Sequence, residues 1–415
     1  MKFKLSSLER KWVLYDVGNS AFTLLVSTLI PIYFNSLAKD AGLSDTTYLA
    51  YWGYAISIST LLVAFLGPIT GAASDKKGRK RLFFTLSIVI GAAGCLALGL
   101  SSQWLIFLII FVVAKSSYSL SLIIYDSTLV DVTSEDRMDS VSSLGFAWGY
   151  IGSCIPFILC LLLVLNAEKL GMSMRTAMLI AFVIVAVWWV GVSLPLLRSY
   201  EQKHFLERSE KKENLLSGLW TTLKEMARDK RILLFMIAFF FYIDGVYTII
   251  DMSTAYGSAL GLNSTDLLLA LLVTQFVAFP SAIIMGRLAQ KIRAEKLITV
   301  CIIAYFCIAL FAVFMSTALH FWILAIGVGM FQGGIQALSR SYFSKIIPPE
   351  KSGEYFGFLD ICGKGASLMG TLVMSAVTQI TRRQQLGVGA IALFFLVGLF
   401  FFRRSISASA ARREA

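Results

Sequence analysis

The chain has 415 residues, of which 57% are hydrophobic and 15% charged. A globular domain carries about 25% charged residues, so too little polar surface is left for a soluble fold. A net charge of +12 suggests a polyanionic partner only until its distribution along the chain is followed.

Long apolar runs mark twelve membrane-spanning helices, at roughly 11–36, 47–73, 82–100, 104–130, 140–165, 174–197, 231–258, 265–287, 296–316, 320–345, 353–380 and 386–403. With both termini cytoplasmic, about 30 of the 37 Lys and Arg fall inside and about 5 outside, as the positive-inside rule requires. The basicity therefore encodes topology, and no nucleic-acid partner is expected. The first run lacks a small-residue cleavage site and, at about 26 residues, is too long for a signal-peptide core, so it reads as a retained span.

Span 1 contains "LYDVGNSAF". Asp16, Asn19 and Ser20 share one helical face there, and a carboxylate in hydrocarbon costs roughly 3 kcal/mol unless it meets protein or water. Asp16 is expected to face the inner mouth of a hydrated cavity, or else to cap a neighbour or pair with Lys11. Between spans 2 and 3 the chain reads Gly71-Ala-Ala-Ser-Asp75-Lys-Lys-Gly78-Arg79-Lys-Arg81. Gly71 permits close helix approach. Asp75 can meet a basic partner or the positive N-terminus of another helix such as span 11. Gly78 allows a tight turn, and Arg79 with its basic neighbours can rest at anionic headgroups.

Along span 4, Lys115 lies about 16 Å from the outer end, near the midplane, and Asp126 close to the inner surface. Tyr118 and Ser119 stand one turn from Lys115, and a lone midplane lysine is a functional candidate. Gly145, Gly149 and Gly152 on span 5 read as helix packing. Residues 198–230 separate the domains 1–197 and 231–415. Within this linker Leu215, Leu216, Leu219, Trp220, Leu223 and Met226 form one stripe of a helix expected to lie on the membrane surface.

In span 7, Asp244 lies about 20 Å from the inner end, again central. It follows Tyr242, while Asp251, seven residues on, is placed toward an outer gate. Gln332 and Gln336 stand one turn apart in span 10, with Arg340 near the inner surface. On span 11, Asp360 and Lys364 are spaced to pair. The halves echo each other as transporter repeats do. Tyr15-Asp16-Val17-Gly18 matches Tyr242-Ile243-Asp244-Gly245, Gly71 matches Gly286, and Asp136-Arg137 matches Glu350-Lys351, an offset that sets Asp126 opposite Arg340 as an inner gate. The six cysteines lie within spans without metal-type pairing, and no metal or cofactor is expected. There is no Gly-x-Ser-x-Gly elbow, His-Glu-x-x-His or Walker loop, so neither an enzyme nor a nucleotide-driven pump is expected.

The 71–81 loop resembles the signature between spans 2 and 3 of the major facilitator superfamily. "WVLYDVGNSAF", "YIDG" and "FQGGIQALSRSYFSKIIPPEKSGEYFGFLDICGKGAS" are similar to its autophagy-associated vacuolar effluxer branch and bacterial relatives. The chain departs from that pattern at Asp126, where Asn is more usual, and at Val17-Gly18, where a Trp-Ala pair is. The resemblance implies two six-helix bundles around a cavity lined by spans 1, 4, 7 and 10, in a monomeric transporter of a bacterial inner membrane, surrounded by lipid. It implies a small amino-acid-like solute. Mixed charge at mid-depth suits a zwitterion, so Asn19, Lys115, Tyr118, Tyr242, Asp244, Gln332, Gln336, Asp360 and Lys364 are the candidate solute contacts. Asp16 and Asp126 are the candidate coupling carboxylates, with the proton preferred because partly dry carboxylates titrate near working pH, and sodium left open. The competing reading is a flippase or exporter of a lipophilic or lipid-linked substrate, which a wide apolar cavity would favour.

Overall fold

A computed structural model describes residues 3–207, 215–259 and 264–414. The first half comprises α1 (Ser7–Ser27), α2 (Leu29–Asp40), α3 (Asp45–Ser74), α4 (Lys80–Leu100), α5 (Trp104–Ser127), the single turn α6 (Leu129–Val132), α7 (Met138–Leu165) and α8 (Met174–Ser199). After the linker helix α9 (Leu215–Arg228) come α10 (Lys230–Ala259), α11 (Ser264–Leu288), α12 (Ala294–Val313), α13 (Ala318–Ile346), α14 (Ser352–Thr381) and α15 (Gln384–Glu414). Among the described residues, twelve segments are long and apolar enough to cross a membrane, and the chain is an all-α integral membrane protein.

Two hydrophobic cores hold the bundles. One runs from Trp12 to Tyr200; the other is built almost wholly from residues between Met226 and Phe402. Their internal construction repeats. Tyr15 donates from its hydroxyl to Ser121 Oγ across α1 and α5 at 2.7 Å, and Tyr242 meets Ser339 Oγ across α10 and α13 at 2.7 Å. A Cβ on Gly18 would crowd Trp189 of α8, and one on Gly245 would overlap Phe395 of α15. In this register Val17, not Asp16, corresponds to Asp244, so the two aspartates point to different neighbours.

Span 1 is not the continuous helix expected over 11–36. It breaks at Thr28, which has φ −131° and ψ −75°. Pro31 has no N–H for the Ser27 carbonyl and crowds it. The hydroxyls of Ser27 and Thr28 turn back onto Leu24 O, the local competition such side chains offer a helix.

In the linker helix α9, Trp220 and Leu223 of the expected membrane-facing stripe are exposed, while Met226 turns to protein beside Thr222. The side chains of Leu215 and Leu216, and residues 208–214, lie outside the described residues. Before α9 the chain is tied to the 71–81 loop: Leu206 N–H donates to Asp75 O at 2.9 Å and Lys77 N–H to Leu206 O at 3.2 Å. Buried Asp131 on α6 accepts the N–H groups of Lys203 and His204 and the Tyr200 hydroxyl.

Candidate functional site

The contacts that join the bundles gather at the end where the chain begins and finishes, called here the terminal end. Helix α13 delivers Arg340 into the first bundle. Its Nη1 donates to Asp126 Oδ1 at 2.8 Å, and its Nη2 lies 3.4 Å from Asp16 Oδ2. Nε donates to Ser142 Oγ at 2.9 Å and Nη2 to the Ser142 carbonyl at 3.0 Å. The guanidinium carbon stands 4.4 Å from the Phe146 ring centre, 4.6 Å from Trp12 and 5.4 Å from Tyr125. Asp16 also accepts Tyr125 O–H at 2.8 Å and Asn19 Nδ2–H at 3.3 Å.

Burying such charges is tolerable because each has several partners. Removing one partner from a buried pair typically costs 3–5 kcal/mol through the charge left behind, so the cluster fastens the two bundles only while all its members stay charged. Asp126 and Arg340 meet as the repeat offset predicts. Asp16 joins them instead of facing open water: it is 6% exposed, and Lys11 bonds Ser199 rather than Asp16. Gly145 on α7 makes room for the cluster, since a Cβ there would overlap Asp16 Oδ2 and press on Arg340 Nη2. Gly149 and Gly152 pack α7 on α1 as predicted.

A second contact between the bundles uses the 71–81 loop. Asp75, fully buried, accepts the N–H groups of Gly353 and Glu354 at 2.9 Å each, at the start of α14, where the helix dipole favours an anion. Lys80 Nζ lies 3.0 Å from Asp75 and donates to Ser352 Oγ. Lys80 is thus buried, unlike Arg79, which is exposed at the start of α4. Gly71 touches Gly353 so closely that any Cβ would strike backbone, and Gly78 takes φ +71°, a value that suits glycine. A third contact between the bundles escaped the sequence reading. Asp139 on α7 accepts Lys345 Nζ and Ser341 Oγ of α13, both at 2.6 Å. Nearby, Ser140 Oγ donates to the Gly286 carbonyl at 2.9 Å. Asp139 begins a helix and Lys345 ends one, so the only sequence signal was their opposite charge at helix termini of the same side.

Away from this end a cavity of about 230 Å³ opens between the bundles, lined by Lys115 and Ser119 of α5, Ser59 and Thr60 of α3, Tyr247 and Asp251 of α10, and Lys364 of α14. Its walls are thus spans 2, 4, 7 and 11, not the expected 1, 4, 7 and 10. Lys364 holds Asp360 at 2.6 Å, as its spacing predicts. Tyr118 and Asn19 are not among the lining residues; the Tyr118 hydroxyl meets Thr23 Oγ1 at 2.6 Å and donates to Asn19 Oδ1 at 3.3 Å.

Asp244 is not among the lining residues. It is fully buried and accepts Gly370 N–H at 2.9 Å and Thr248 O–H at 3.1 Å, so α14 covers its part of the α10 face. Two turns on, that face emerges from under α14 and presents Asp251 to this cavity. Tyr242 is likewise sealed in the core of its bundle by the bond to Ser339. Gln332 lines another, mainly apolar cavity inside the second bundle, with Thr248, Tyr256, Phe321 and Met374, and Gln336 is half-buried one turn away.

Residues 7–415 match the family model described as Vacuole effluxer Atg22 like. The chain belongs to that family. This family member is 41% identical over 405 residues to the MFS-type transporter YxiO of Bacillus subtilis, covering 96% of this chain and 95% of the relative. It is 24% identical to Autophagy-related protein 22 of Kluyveromyces lactis, covering 89% and 82% of the two chains. Among solved structures, the major facilitator transporter FucP in its outward conformation superposes with a TM-score of 0.71 at 14% identity, over 96% of this chain and 97% of that one. The human organic anion transporter MFSD10 does so with 0.69 at 14%, over 95% and 99%. At such identities these two establish the fold, and the fold is that of the major facilitator superfamily.

Proposed function

We propose that this family member is a secondary active transporter of a small zwitterionic, amino-acid-like solute, working by alternating access and coupled to protons. The observation that carries the reading is the cavity between the bundles, where Lys115 and Lys364 face Asp251. Two ammonium groups can hold a carboxylate, and a carboxylate can hold an amine. The locked terminal end beside this cavity supports an alternating-access cycle, caught in one of its end states. The positive-inside distribution puts the terminal end in the cytoplasm, and the family's bacterial relative supports a plasma-membrane location. The state described is then outward-facing. Asp16 and Asp126 are suited to coupling because protonating either one weakens its hold on Arg340 and so eases opening toward the cytoplasm.

The test is counterflow of labelled amino acids into proteoliposomes loaded with the unlabelled solute, with and without a proton gradient. Saturable exchange is expected, with accumulation driven by the gradient. An unsaturable conductance would reject a carrier, and dependence on sodium alone would reject the proton. The apolar cavity beside Gln332 favours one other reading, export of a lipophilic solute. A thermal-shift screen separates the two, since a ligand at 100 times its Kd adds about 2.7 kcal/mol.

A further inference from the structure

The surroundings of Arg340 have a property beyond fastening the bundles. Among the described residues, every group that holds the guanidinium comes from the first bundle: Asp16 and Trp12 from α1, Asp126 and Tyr125 from α5, Ser142 and Phe146 from α7. Only the cation comes from the second. Carboxylate, hydroxyl and carbonyl oxygens meet the N–H edge at Nε, Nη1 and Nη2, and the rings of Phe146 and Trp12 lie within 4.6 Å of its carbon. This is a complete recognition site for a planar cation, edge and faces both supplied. Arg340 fills it as a ligand tethered to the opposite bundle.

If the bundles part at the terminal end, Arg340 leaves with α13. The two carboxylates and the rings around them then face the opening without their counter-charge, and can take another cation in its place. A sodium ion would satisfy the oxygens and leave the ring faces unused. A guanidinium group would use both.

We infer that the first bundle carries a guanidinium-binding site, occupied by Arg340 when the terminal end is closed and by the guanidinium of an arginine-like solute when it is open. This narrows the amino-acid-like solute to a cationic class and rests on the alternating-access reading above.

The experiment uses the purified full-length Arg340→Ala variant, in which the site stands empty, and follows thermal unfolding as methylguanidinium chloride is added at millimolar concentration. A saturable rise in Tm is expected, needing at least tenfold less ligand than methylammonium, and absent with sodium chloride of equal ionic strength. Adding Asp16→Asn should abolish it. A response no larger than that to sodium chloride, or one that survives Asp16→Asn, overturns the site. Should Arg340→Ala not fold, Ser142→Cys in the otherwise intact chain serves instead. L-arginine should slow its modification by a membrane-permeant maleimide several-fold, and L-citrulline, of similar shape but uncharged, should not; equal effects of the two overturn the site. Both readouts need no flux. Failed counterflow with guanidinium binding intact would therefore count against the transport reading alone, and the reverse result against this site alone.

Discussion

Arg340 and Asp126 lie 214 positions apart in the chain, on α13 and α5, and their side chains meet at 2.8 Å across the two bundles. Asp16 approaches the same guanidinium from α1. One cation thus closes the terminal end against two carboxylates, and losing it should matter more than losing either anion. Arg340→Ala is expected to destabilise the closed end by about 3 kcal/mol, the lower part of the range for a broken buried pair, because Asp126 keeps some contact with solvent. Asp126→Asn should cost less, as Asp16 remains. The exchange Asp126→Arg with Arg340→Asp should recover part of the loss. Accessibility of a cysteine placed near Ser142 is the measurement, and a closed end that ignores all these changes would remove Arg340 from the gate.

Room for that cluster depends on Gly145. Gly145→Ala would push a methyl group onto Asp16 and Arg340, so a loss of about 1–3 kcal/mol is expected, the usual range for overpacking. Gly191→Ala is the control. No atom lies within 4 Å of its added Cβ, and in a helix alanine should be neutral or stabilising by up to about 1 kcal/mol. Thermal unfolding of the two variants in the same detergent makes the comparison, and equal behaviour would mean the cluster is loosely packed.

Asp139 and Lys345 form an independent crossing between the bundles. A double-mutant cycle with Asp139→Asn and Lys345→Met should return a coupling energy of about 1–2 kcal/mol, within the range for contacting residues and discounted for the part of Lys345 that reaches solvent. Each single variant should also raise cysteine labelling at the terminal end. A coupling near zero would show that the pair fastens nothing.

How far the sequence was legible follows from what each feature depends on. Helix number and the 71–81 loop rest on local composition and spacing, and so could be read. The Asp126–Arg340 contact could be read because the halves repeat, which converts a long-range question into an alignment. The break at Thr28 was also within reach, through Pro31, but the apolar run hid it. Neither Asp139–Lys345 nor the burial of Lys80 could be read. Each depends on how the bundles close on one another, and no repeat or periodicity records that. The aspartates of α10 failed for another reason. Asp244 and Asp251 share a helical face, and periodicity cannot tell at which depth α14 ceases to cover it.

That ambiguity yields the sharpest prediction. Asp251 lines the cavity with Lys115 and Lys364, whereas Asp244 accepts the backbone N–H of Gly370 and has no exposed surface. Asp251→Asn removes a charge where a solute amine would sit, so solute binding should weaken by roughly 2 kcal/mol, in the range of a charge-assisted hydrogen bond, with little change in Tm. Asp244→Asn acts on helix packing. Its Oδ1 has no space for rearrangement, because a Cβ on Gly370 would already overlap it, and the amide nitrogen would replace Oδ2, a buried atom with no hydrogen-bond partner among the described residues, so its two N–H donors would go unmet. A fall in stability of about 1–3 kcal/mol is expected for a buried polar group left unsatisfied, and solute affinity measured below the transition should be nearly intact. Lys115→Ala should resemble Asp251→Asn in weakening binding, though not additively with it if both hold one zwitterion. Isothermal titration of the solute found by counterflow, run beside thermal unfolding for all three variants, separates these effects. Tight binding by Asp251→Asn together with lost binding by a stable Asp244→Asn would exchange the two roles, and would mean that α14 uncovers Asp244 when solute enters.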